Sequence, residues 1–203
     1  MRVSLVGMSG SGKTYWSKKF EENGFVRFCC DDIIEKKLEN ELKPLGYSGI
    51  ADVSKWMGQP YDTRYEEASQ KYLTFERETM QEIFEVITAL PFEQNVIIDT
   101  TGSVIYTGDV ILSKLLEISR VIYLETSQSV QKEMYELYIR DPKPVIWGTS
   151  FNKKIGETDM EALARCYPQL LEYRSKKYAQ HSHKTVVHGV HKNPNTTIQQ
   201  LLA

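Results

Sequence analysis

Short apolar runs alternate along the chain with longer stretches in which apolar residues recur every three or four positions. The short runs are typical of buried strands and predict β-strands at residues 2–6, 25–30, 95–99, 121–125 and 185–187. The longer stretches predict helices at residues 14–20, 32–42, 50–57, 64–90, 110–118, 130–140, 160–179 and 195–202. Because strands and helices alternate, we expect a three-layer α/β fold with a five-stranded parallel sheet covered by helices on both faces.

The length of 203 residues favours a single domain with a sizeable core. A few segments do not follow the alternation of strands and helices. Pro142 and Pro144 end the predicted helix before them, and residues 147–157 are polar and rich in turn-forming residues. We therefore expect a mobile loop in this part of the chain.

Charge and cysteine content narrow the possible environments and partners. The formal net charge of −2 argues against general nucleic-acid binding, which needs a cationic excess. The cysteines are few and odd in number, and Cys29 and Cys30 are adjacent, so a reducing compartment is favoured over a disulfide framework. No apolar run is long enough for a signal peptide or a membrane span. We expect a cytoplasmic monomer without nucleic-acid or membrane partners.

A phosphate-binding motif of the form G-x-x-x-x-G-K-[ST] follows the first predicted strand. It consists of Gly7, Met8, Ser9, Gly10, Ser11, Gly12, Lys13 and Thr14. The glycines allow backbone N–H groups to point at phosphates, and the following helix presents further N–H groups at its N-terminus. In such a loop Lys13 reaches the β- and γ-phosphates, and the Thr14 hydroxyl binds Mg²⁺. A chance glycine–serine turn is the alternative, but a strand precedes this motif and a helix follows it.

The motif predicts ATP and Mg²⁺ as cofactors, although GTPases, ATPases and small-molecule kinases share it. A GTPase would need a guanine-reading Asn-Lys-x-Asp sequence after a strand. Here Asn152-Lys153 is followed by Lys154 and Ile155 and lies in a polar stretch. A small-molecule kinase is therefore the leading class.

Carboxylates follow the second and third predicted strands, at the edge of the sheet where α/β proteins bind ligands. Asp99 ends the third strand and either binds Mg²⁺ or caps a helix or turn. After the second strand, one carboxylate can orient or deprotonate an acceptor hydroxyl while the other caps a helix. We assign Asp31 to the acceptor and Asp32 to the cap.

Over nearly its full length the chain resembles the shikimate kinase family of P-loop kinases. Residues 31–35 are similar to the family segment in which an aspartate faces the acceptor hydroxyl, and Asp31 takes that place. Residues 72–76 resemble the family motif Phe-Arg-x-x-Glu, and residues 143–146 are similar to the lid motif Arg-Pro-Leu-Leu. Only the phosphate loop is specific by itself.

The resemblance implies a strand order of 2-3-1-4-5, a helical acceptor-binding insert at about residues 32–91 and a lid at about residues 141–157. It implies that Arg140 stacks on adenine and that the lid residue Lys143 acts on the transferred group. It also implies an adenine loop formed by Lys192, Asn193 and Pro194, and acceptor contacts from Thr101, Gly102 and Arg174.

Several positions depart from the family pattern. Leu73 stands where the family has an arginine that grips the carboxylate of shikimate, and Cys29 stands in place of a strand-end aspartate. Thr100 and Thr101 replace two glycines of a triplet. Lys143 replaces the lid arginine and offers a point charge rather than a planar fork. These departures favour an acceptor other than shikimate.

Two arginines can compensate for Leu73. Arg77 lies one helical turn beyond Leu73 on the same face, and Arg64 lies near the start of the same predicted helix. We place both at the acceptor, with a solvated surface arginine as the alternative for each. The aromatic residues Trp56, Tyr61, Tyr65 and Tyr72 either line the acceptor pocket or pack in a core.

Together these features predict an ATP-dependent kinase that moves the γ-phosphoryl group to a hydroxyl of a small metabolite. Asp31 orients that hydroxyl, while Lys13, Arg140 and Lys143 neutralise the transferred group. Two alternatives remain open. One is a nucleoside monophosphate kinase, which needs several arginines at the acceptor, and the other is a non-catalytic ATP-binding regulator.

Overall fold

The computed structural model describes residues 1–203, and its centre is a sheet of five parallel strands. The strands are β1 (Arg2–Val6), β2 (Val26–Cys29), β3 (Val96–Asp99), β4 (Arg120–Leu124) and β5 (Lys184–Val186). Their order is β2-β3-β1-β4-β5, and every neighbouring pair is parallel. The predicted fold class and strand order are confirmed.

Ten α-helices surround the sheet. They are α1 (Lys13–Glu22), α2 (Cys30–Lys37), α3 (Glu39–Leu42), α4 (Ile50–Met57), α5 (Tyr65–Ala89), α6 (Asp109–Ile118), α7 (Gln128–Arg140), α8 (Asp159–Gln180), α9 (His188–His191) and α10 (Ile198–Leu202). Short 3₁₀ helices lie at Lys43–Leu45 and Val104–Tyr106. None of the helices is both long enough and apolar enough to span a membrane.

The predicted helix at residues 32–42 is wrong in two respects. It is divided into α2 and α3, because Leu38 leaves ideal helical geometry with ψ at 0°. It also starts earlier, since the chain turns from strand to helix directly after Cys29. Cys29 is therefore the N-cap residue, and Asp32 lies inside the first turn, where a carboxylate still favours the positive end of the helix dipole.

The core has one apolar layer on each face of the sheet. On one face, Trp16 and Phe20 of α1 pack with Leu201 of α10 against the strands. On the other face, α5, α6 and α8 cover the strands, for example through Met80 and Leu170. The central strands β3, β1 and β4 are almost fully buried, as their continuous apolar runs predict, whereas the edge strands β2 and β5 are partly exposed.

The helices between β2 and β3 have a small core of their own. Ile34 and Leu38 from α2 pack there with Trp56 from α4 and with Tyr72 and Leu73 from α5. This cluster attaches the segment to the rest of the fold through the long helix α5, which also packs on the main core. The predicted insert therefore has a physical basis, namely its separate apolar cluster.

The segment between α7 and α8 is held to the body of the protein at several points. Trp147 is buried among Tyr138, Tyr167 and Phe151. Further along, Arg165 donates to Glu157 and to the carbonyl oxygen of Asn152, at 2.6 and 2.7 Å. The segment predicted to be mobile is thus anchored at Trp147, Asn152 and Glu157, although residues 152–156 are exposed.

Candidate active site

The phosphate loop leaves β1 and ends at the N-terminus of α1, as its sequence requires. Gly7 has a φ of 151°, and a Cβ there would lie 2.8 Å from the carbonyl oxygen of Leu124 and 2.9 Å from Ser11 Oγ. Gly12, the N-cap of α1, has a φ of 105°. Only glycine fits these two positions without strain, so the loop conformation follows directly from the motif.

Lys13 lies folded against its own loop. Its Nζ donates to the carbonyl oxygens of Gly7 and Met8, both at 3.0 Å, and the side chain is buried. Burial lowers the pKa of the Lys13 amine, while the negative charges of Asp31 and Asp99 oppose that shift. A cation held by two neutral carbonyl groups can be transferred to an anionic phosphate at little cost.

A cavity of about 420 Å³ opens beside the loop. Seven separate parts of the chain supply its walls, which are Ser9, Gly10, Gly12, Lys13, Thr14, Tyr15, Asp31, Ile50, Ala51, Val53, Ser54, Met57, Tyr72, Gly102, Ser103, Lys143, Pro144, Val145, Ile146 and Arg174. The structure therefore brings much of the predicted phosphate loop together with the predicted acceptor residues Asp31, Gly102 and Arg174. Lys143 reaches the cavity from the lid segment.

Of the adjacent carboxylates Asp31 and Asp32, Asp31 lines the cavity. It lies in the first turn of α2 and lines the cavity, whereas Asp32 is exposed and does not. Burial raises the pKa of Asp31 to about 6; Lys13 opposes the shift, and Asp99 and Asp32 add to it. A carboxylate with this pKa is ionised at neutral pH and can still accept a proton, which suits general-base chemistry.

Glu76 is a site residue that the sequence analysis did not select. It is fully buried on α5 and accepts hydrogen bonds from the hydroxyls of Thr101 and Ser103. Burial raises its pKa to about 7, against the lowering effect of those two hydroxyls. Ser103 also lines the cavity, so Glu76 fixes the loop after β3 at the cavity wall. Glu76 occupies the glutamate position of the segment that resembles the Phe-Arg-x-x-Glu motif. Its hydroxyl partners, however, can be identified only from the packing.

Arg174 places a buried positive charge at the cavity. Its Nη2 donates to the carbonyl oxygen of Ile146 at 2.6 Å, and its guanidinium lies 5.5 Å from the ring centroid of Tyr106. No carboxylate pairs with it, and its Nε is buried without a hydrogen-bond partner. Leaving a buried charged donor unpaired is costly, so Arg174 is suited to bind an anionic group.

Asp99 lies deeper than the cavity wall, at the end of β3. The register pairs it with Leu5 of β1 and with Cys29 of β2. Its Oδ2 accepts hydrogen bonds from Ser17 and Arg27, while its Oδ1 is buried without a partner. Together with Thr14 at the cavity, this free carboxylate oxygen fits the oxygen ligands that Mg²⁺ prefers.

The predicted adenine loop lies against the phosphate loop. Lys192 Nζ donates to the carbonyl oxygen of Gly10 at 3.2 Å, and Asn193 and Pro194 follow it on the surface. This arrangement is compatible with a nucleotide base beside the phosphates. In the phosphate loop, the predicted residues Gly7 and Ser11 are buried, and Ser11 Oγ has no hydrogen-bond partner.

Three predicted arginines lie outside the cavity. Arg140 is exposed at the end of α7. Arg64 lies beside Glu67 and Trp56 in a separate surface depression. Arg77 Nη1 donates to Thr74 Oγ1 at 3.4 Å, whereas Leu73 is buried in the core of the insert. Arg77 and Leu73 therefore do not share an environment.

The aromatic residues of the insert have separate roles. Tyr72 lines the cavity, and Trp56 packs in the core of the insert. Tyr65 accepts a hydrogen bond from the backbone N–H of Trp147 at 2.9 Å and donates to the carbonyl oxygen of Val145 at 2.8 Å. Tyr65 therefore joins α5 to the lid segment, and Tyr61 is exposed.

No protein-family model matches the chain, and no curated protein matches it significantly. Solved structures do. A shikimate kinase from Acinetobacter baumannii in complex with shikimate shares 18% identity at a TM-score of 0.58, covering 99% of this chain and 87% of that one. The shikimate kinase from Aquifex aeolicus shares 17% identity at a TM-score of 0.59, covering 100% and 94%. A dephospho-CoA kinase from Campylobacter jejuni shares 14% identity at a TM-score of 0.51, covering 100% and 94%.

These similarities extend over the whole chain, but the identities are low. They show that the chain has the P-loop kinase fold of these proteins.

Proposed function

We propose that this protein is an ATP-dependent kinase that transfers the γ-phosphoryl group to a hydroxyl of a small metabolite. One observation carries the proposal. A single cavity joins the phosphate loop to Asp31, a partly buried carboxylate whose pKa lies near 6. The loop supplies a place for the phosphates, and the carboxylate supplies an acceptor for the proton of a hydroxyl.

The reaction balances with these groups. The acceptor oxygen forms a bond to the γ-phosphorus, the bond between that phosphorus and the β–γ bridging oxygen breaks, and ADP leaves. The hydroxyl proton passes to Asp31. Lys13 moves from the carbonyl groups of Gly7 and Met8 to the phosphates, where its charge offsets the charge of the transferred group. Most of the rate enhancement comes from alignment and electrostatics.

ATP and Mg²⁺ are the proposed cofactors. Thr14 and Asp99 are the residues that would hold Mg²⁺, and when bound the ion supplies positive charge to the phosphate oxygens. The backbone N–H groups of residues 9–14 and the N-terminus of α1 would hold the phosphates. Lys192, Asn193 and Pro194 would lie along the base, as the contact between Lys192 and Gly10 supports.

The acceptor half of the cavity favours a molecule with an apolar face and at most one anionic group. Its wall on α4 is formed mainly by Ile50, Val53 and Met57, and Arg174 is its single guanidinium. Because Leu73 is buried in the insert core, that position offers no second charge. Shikimate is thus one acceptor to test rather than the assigned one.

A nucleoside monophosphate kinase receives less support from this geometry. Such an enzyme must neutralise an acceptor phosphate, usually with several cations. Arg64 and Arg77 lie outside the cavity, which leaves Arg174 and the exposed Lys143 near it.

Mg²⁺-dependent ADP production tests the proposal, with shikimate, nucleoside monophosphates and a panel of hydroxylated metabolites as acceptors. Lys13→Ala serves as the inactive control. Acceptor-dependent turnover by the native protein, absent in the control, would support a kinase and identify its substrate. ATP binding without turnover for any acceptor would instead support the non-catalytic regulator.

A further inference from the structure

A buried network connects the phosphate loop to the end of β3 through Arg27. Arg27 donates from Nε to Ser17 Oγ at 2.8 Å and from Nη2 to Asp99 Oδ2 at 3.2 Å. Ser17 Oγ lies 2.9 Å from the same Asp99 oxygen and 3.1 Å from the carbonyl oxygen of Thr14. Ser17 is fully buried, and the side chains of Asp99 and Arg27 are 2% and 12% exposed. The ion pair is therefore poorly screened by water.

The two oxygens of Asp99 have different environments. Oδ2 accepts both hydrogen bonds of the network, whereas Oδ1 is buried and has no partner. A buried, unpaired carboxylate oxygen is unfavourable unless a ligand completes it. Because Ser17 also contacts the backbone of Thr14, Oδ1 belongs to the same small region as the proposed Mg²⁺ ligand on α1.

Arg27 largely cancels the charge that Asp99 can offer to a cation. The guanidinium is in direct contact with the carboxylate, so the pair as a whole is close to neutral. A divalent cation is held mainly by net negative charge in its surroundings. Arg27 offsets the charge of Asp99, and Lys13 opposes that of the neighbouring Asp31. The remaining negative charge must come from elsewhere, and the phosphates of a nucleotide are the anions for which the adjacent loop is built.

We propose that Arg27 neutralises Asp99 so that the protein retains a divalent cation only together with the phosphates of its nucleotide. Arg27 is then a positioning residue that acts through Asp99 and touches neither nucleotide nor acceptor. The inference rests on the proposed function, since it assumes a nucleotide on the loop.

Charge rather than orientation is the main contribution of Arg27. Ser17 Oγ lies 2.9 Å from the same oxygen of Asp99. We therefore expect Ser17 to orient the carboxylate when Arg27 is replaced. Replacing Arg27 with a neutral residue therefore leaves an oriented carboxylate whose negative charge is no longer offset. Such a carboxylate should bind a divalent cation without help from phosphates.

Mn²⁺ binding, followed by electron paramagnetic resonance with and without ADP, tests this proposal. We expect Arg27→Gln to bind Mn²⁺ without ADP at least about tenfold more tightly than the native protein. Arg27→Lys keeps the charge and should behave like the native protein. Arg2→Gln is the matched control. Arg2 begins β1, at the edge of the sheet opposite to Asp99, and donates to the carbonyl oxygen of Ile87 at 2.8 Å.

An Mn²⁺ affinity of Arg27→Gln equal to or weaker than the native value would overturn the proposal. If this variant does not fold, Asp99→Asn decides, because it leaves the Arg27 charge unbalanced. That variant should bind Mn²⁺ about tenfold more weakly in the presence of ADP, while its affinity for metal-free ADP should be no weaker than that of the native protein. An unchanged Mn²⁺ affinity would overturn the proposal. A native protein that binds no ADP at all would overturn the proposed function as well, so the two failures can be distinguished.

Discussion

The two ends of the cavity are built in different ways. The phosphate end comes from one continuous stretch, residues 7–14, and its conformation follows from glycines at fixed positions. The acceptor end combines Asp31 from α2, Tyr72 from α5, Ser103 from the loop after β3 and Arg174 from α8. A local site can be recognised in the sequence, whereas a site assembled from distant elements depends on packing.

The two ends also differ in their electrostatics. Backbone N–H groups and Lys13 give the phosphate end a positive character. The proposed acceptor end contains the partly buried Asp31, and the buried Glu76 lies behind its wall. Burial raises the pKa of Asp31 to about 6 and that of Glu76 to about 7. The first end is suited to bind an anion, and the second is suited to hold or move a proton.

The largest effect is expected at the phosphate end. Lys13→Ala removes the cation that offsets the charge of the transferred group, and we expect turnover to fall by about 10³-fold or more. Single-turnover kinetics would measure the effect of Lys13 on the chemical step, and ADP binding would measure its effect on nucleotide affinity. A variant that retains most of its turnover would contradict the role of Lys13.

At the acceptor end, Asp31→Asn removes the proton acceptor, and we expect kcat to fall by about 10²–10⁴-fold with little change in ADP affinity. The native rate should decline below about pH 6, where Asp31 becomes protonated, and the variant should lack this decline. The matched control is Asp32→Asn, because Asp32 is exposed and does not line the cavity. Equal losses in both variants would exclude a specific role for Asp31.

A third prediction concerns stability rather than rate. Burial raises the pKa of folded Glu76 from 4.5 to about 7, so between these pH values the folded protein binds more protons than the unfolded chain. The associated stability is fully present below pH 4.5 and is lost as the pH rises through 7. A pKa shift of this size corresponds to about 3 kcal/mol in the free energy of unfolding.

Glu76→Gln cannot ionise and should therefore lose less stability than the native protein between pH 5 and pH 8. Urea unfolding at both pH values measures the difference. Glu67→Gln is the control, since Glu67 is exposed on the same helix. Equal pH dependence in Glu76→Gln and the native protein would show that Glu76 is ionised in the folded state at no cost.

The smallest effect is expected for Arg64 and Arg77, the two predicted acceptor arginines that lie outside the cavity. Arg64→Ala and Arg77→Ala should each change the KM for the acceptor by less than about twofold, as is usual for surface side chains without a binding role. Acceptor titrations with the identified substrate measure this. A large increase in KM for either variant would show that the insert moves that arginine into the cavity during catalysis.

Most of the fold could be predicted from the sequence because its signals are local. The apolar runs of β1 and β3 and the glycines of the phosphate loop determine their own conformations. The predicted start of α2 was wrong because Asp32 has a preferred N-cap side chain, whereas Cys29, which is the N-cap, makes no side-chain capping hydrogen bond and gives no local signal.

The candidate site could be predicted only in part. Asp31 follows a strand and was selected for that reason, and the structure places it at the cavity. Glu76 looks like an ordinary helical glutamate in the sequence, since its hydroxyl partners lie 25 and 27 residues away. The pairing of Arg27 with Asp99 spans 72 residues and depends on the register of β2 with β3. Interactions across such distances leave no local pattern.

The hydroxyl of Tyr65 links the predicted lid segment to a helix that forms part of the cavity wall. It grips the backbone on both sides of Ile146, at Val145 and Trp147, from a helix that also forms the acceptor wall through Tyr72. In the proposed kinase, an acceptor too bulky for the cavity would push α5 outward. The hydrogen bonds of Tyr65 would then pull on the lid segment and shift Lys143, which lies two residues before Val145. In the proposed kinase, the fit of the acceptor and the position of the lid lysine would thus depend on each other.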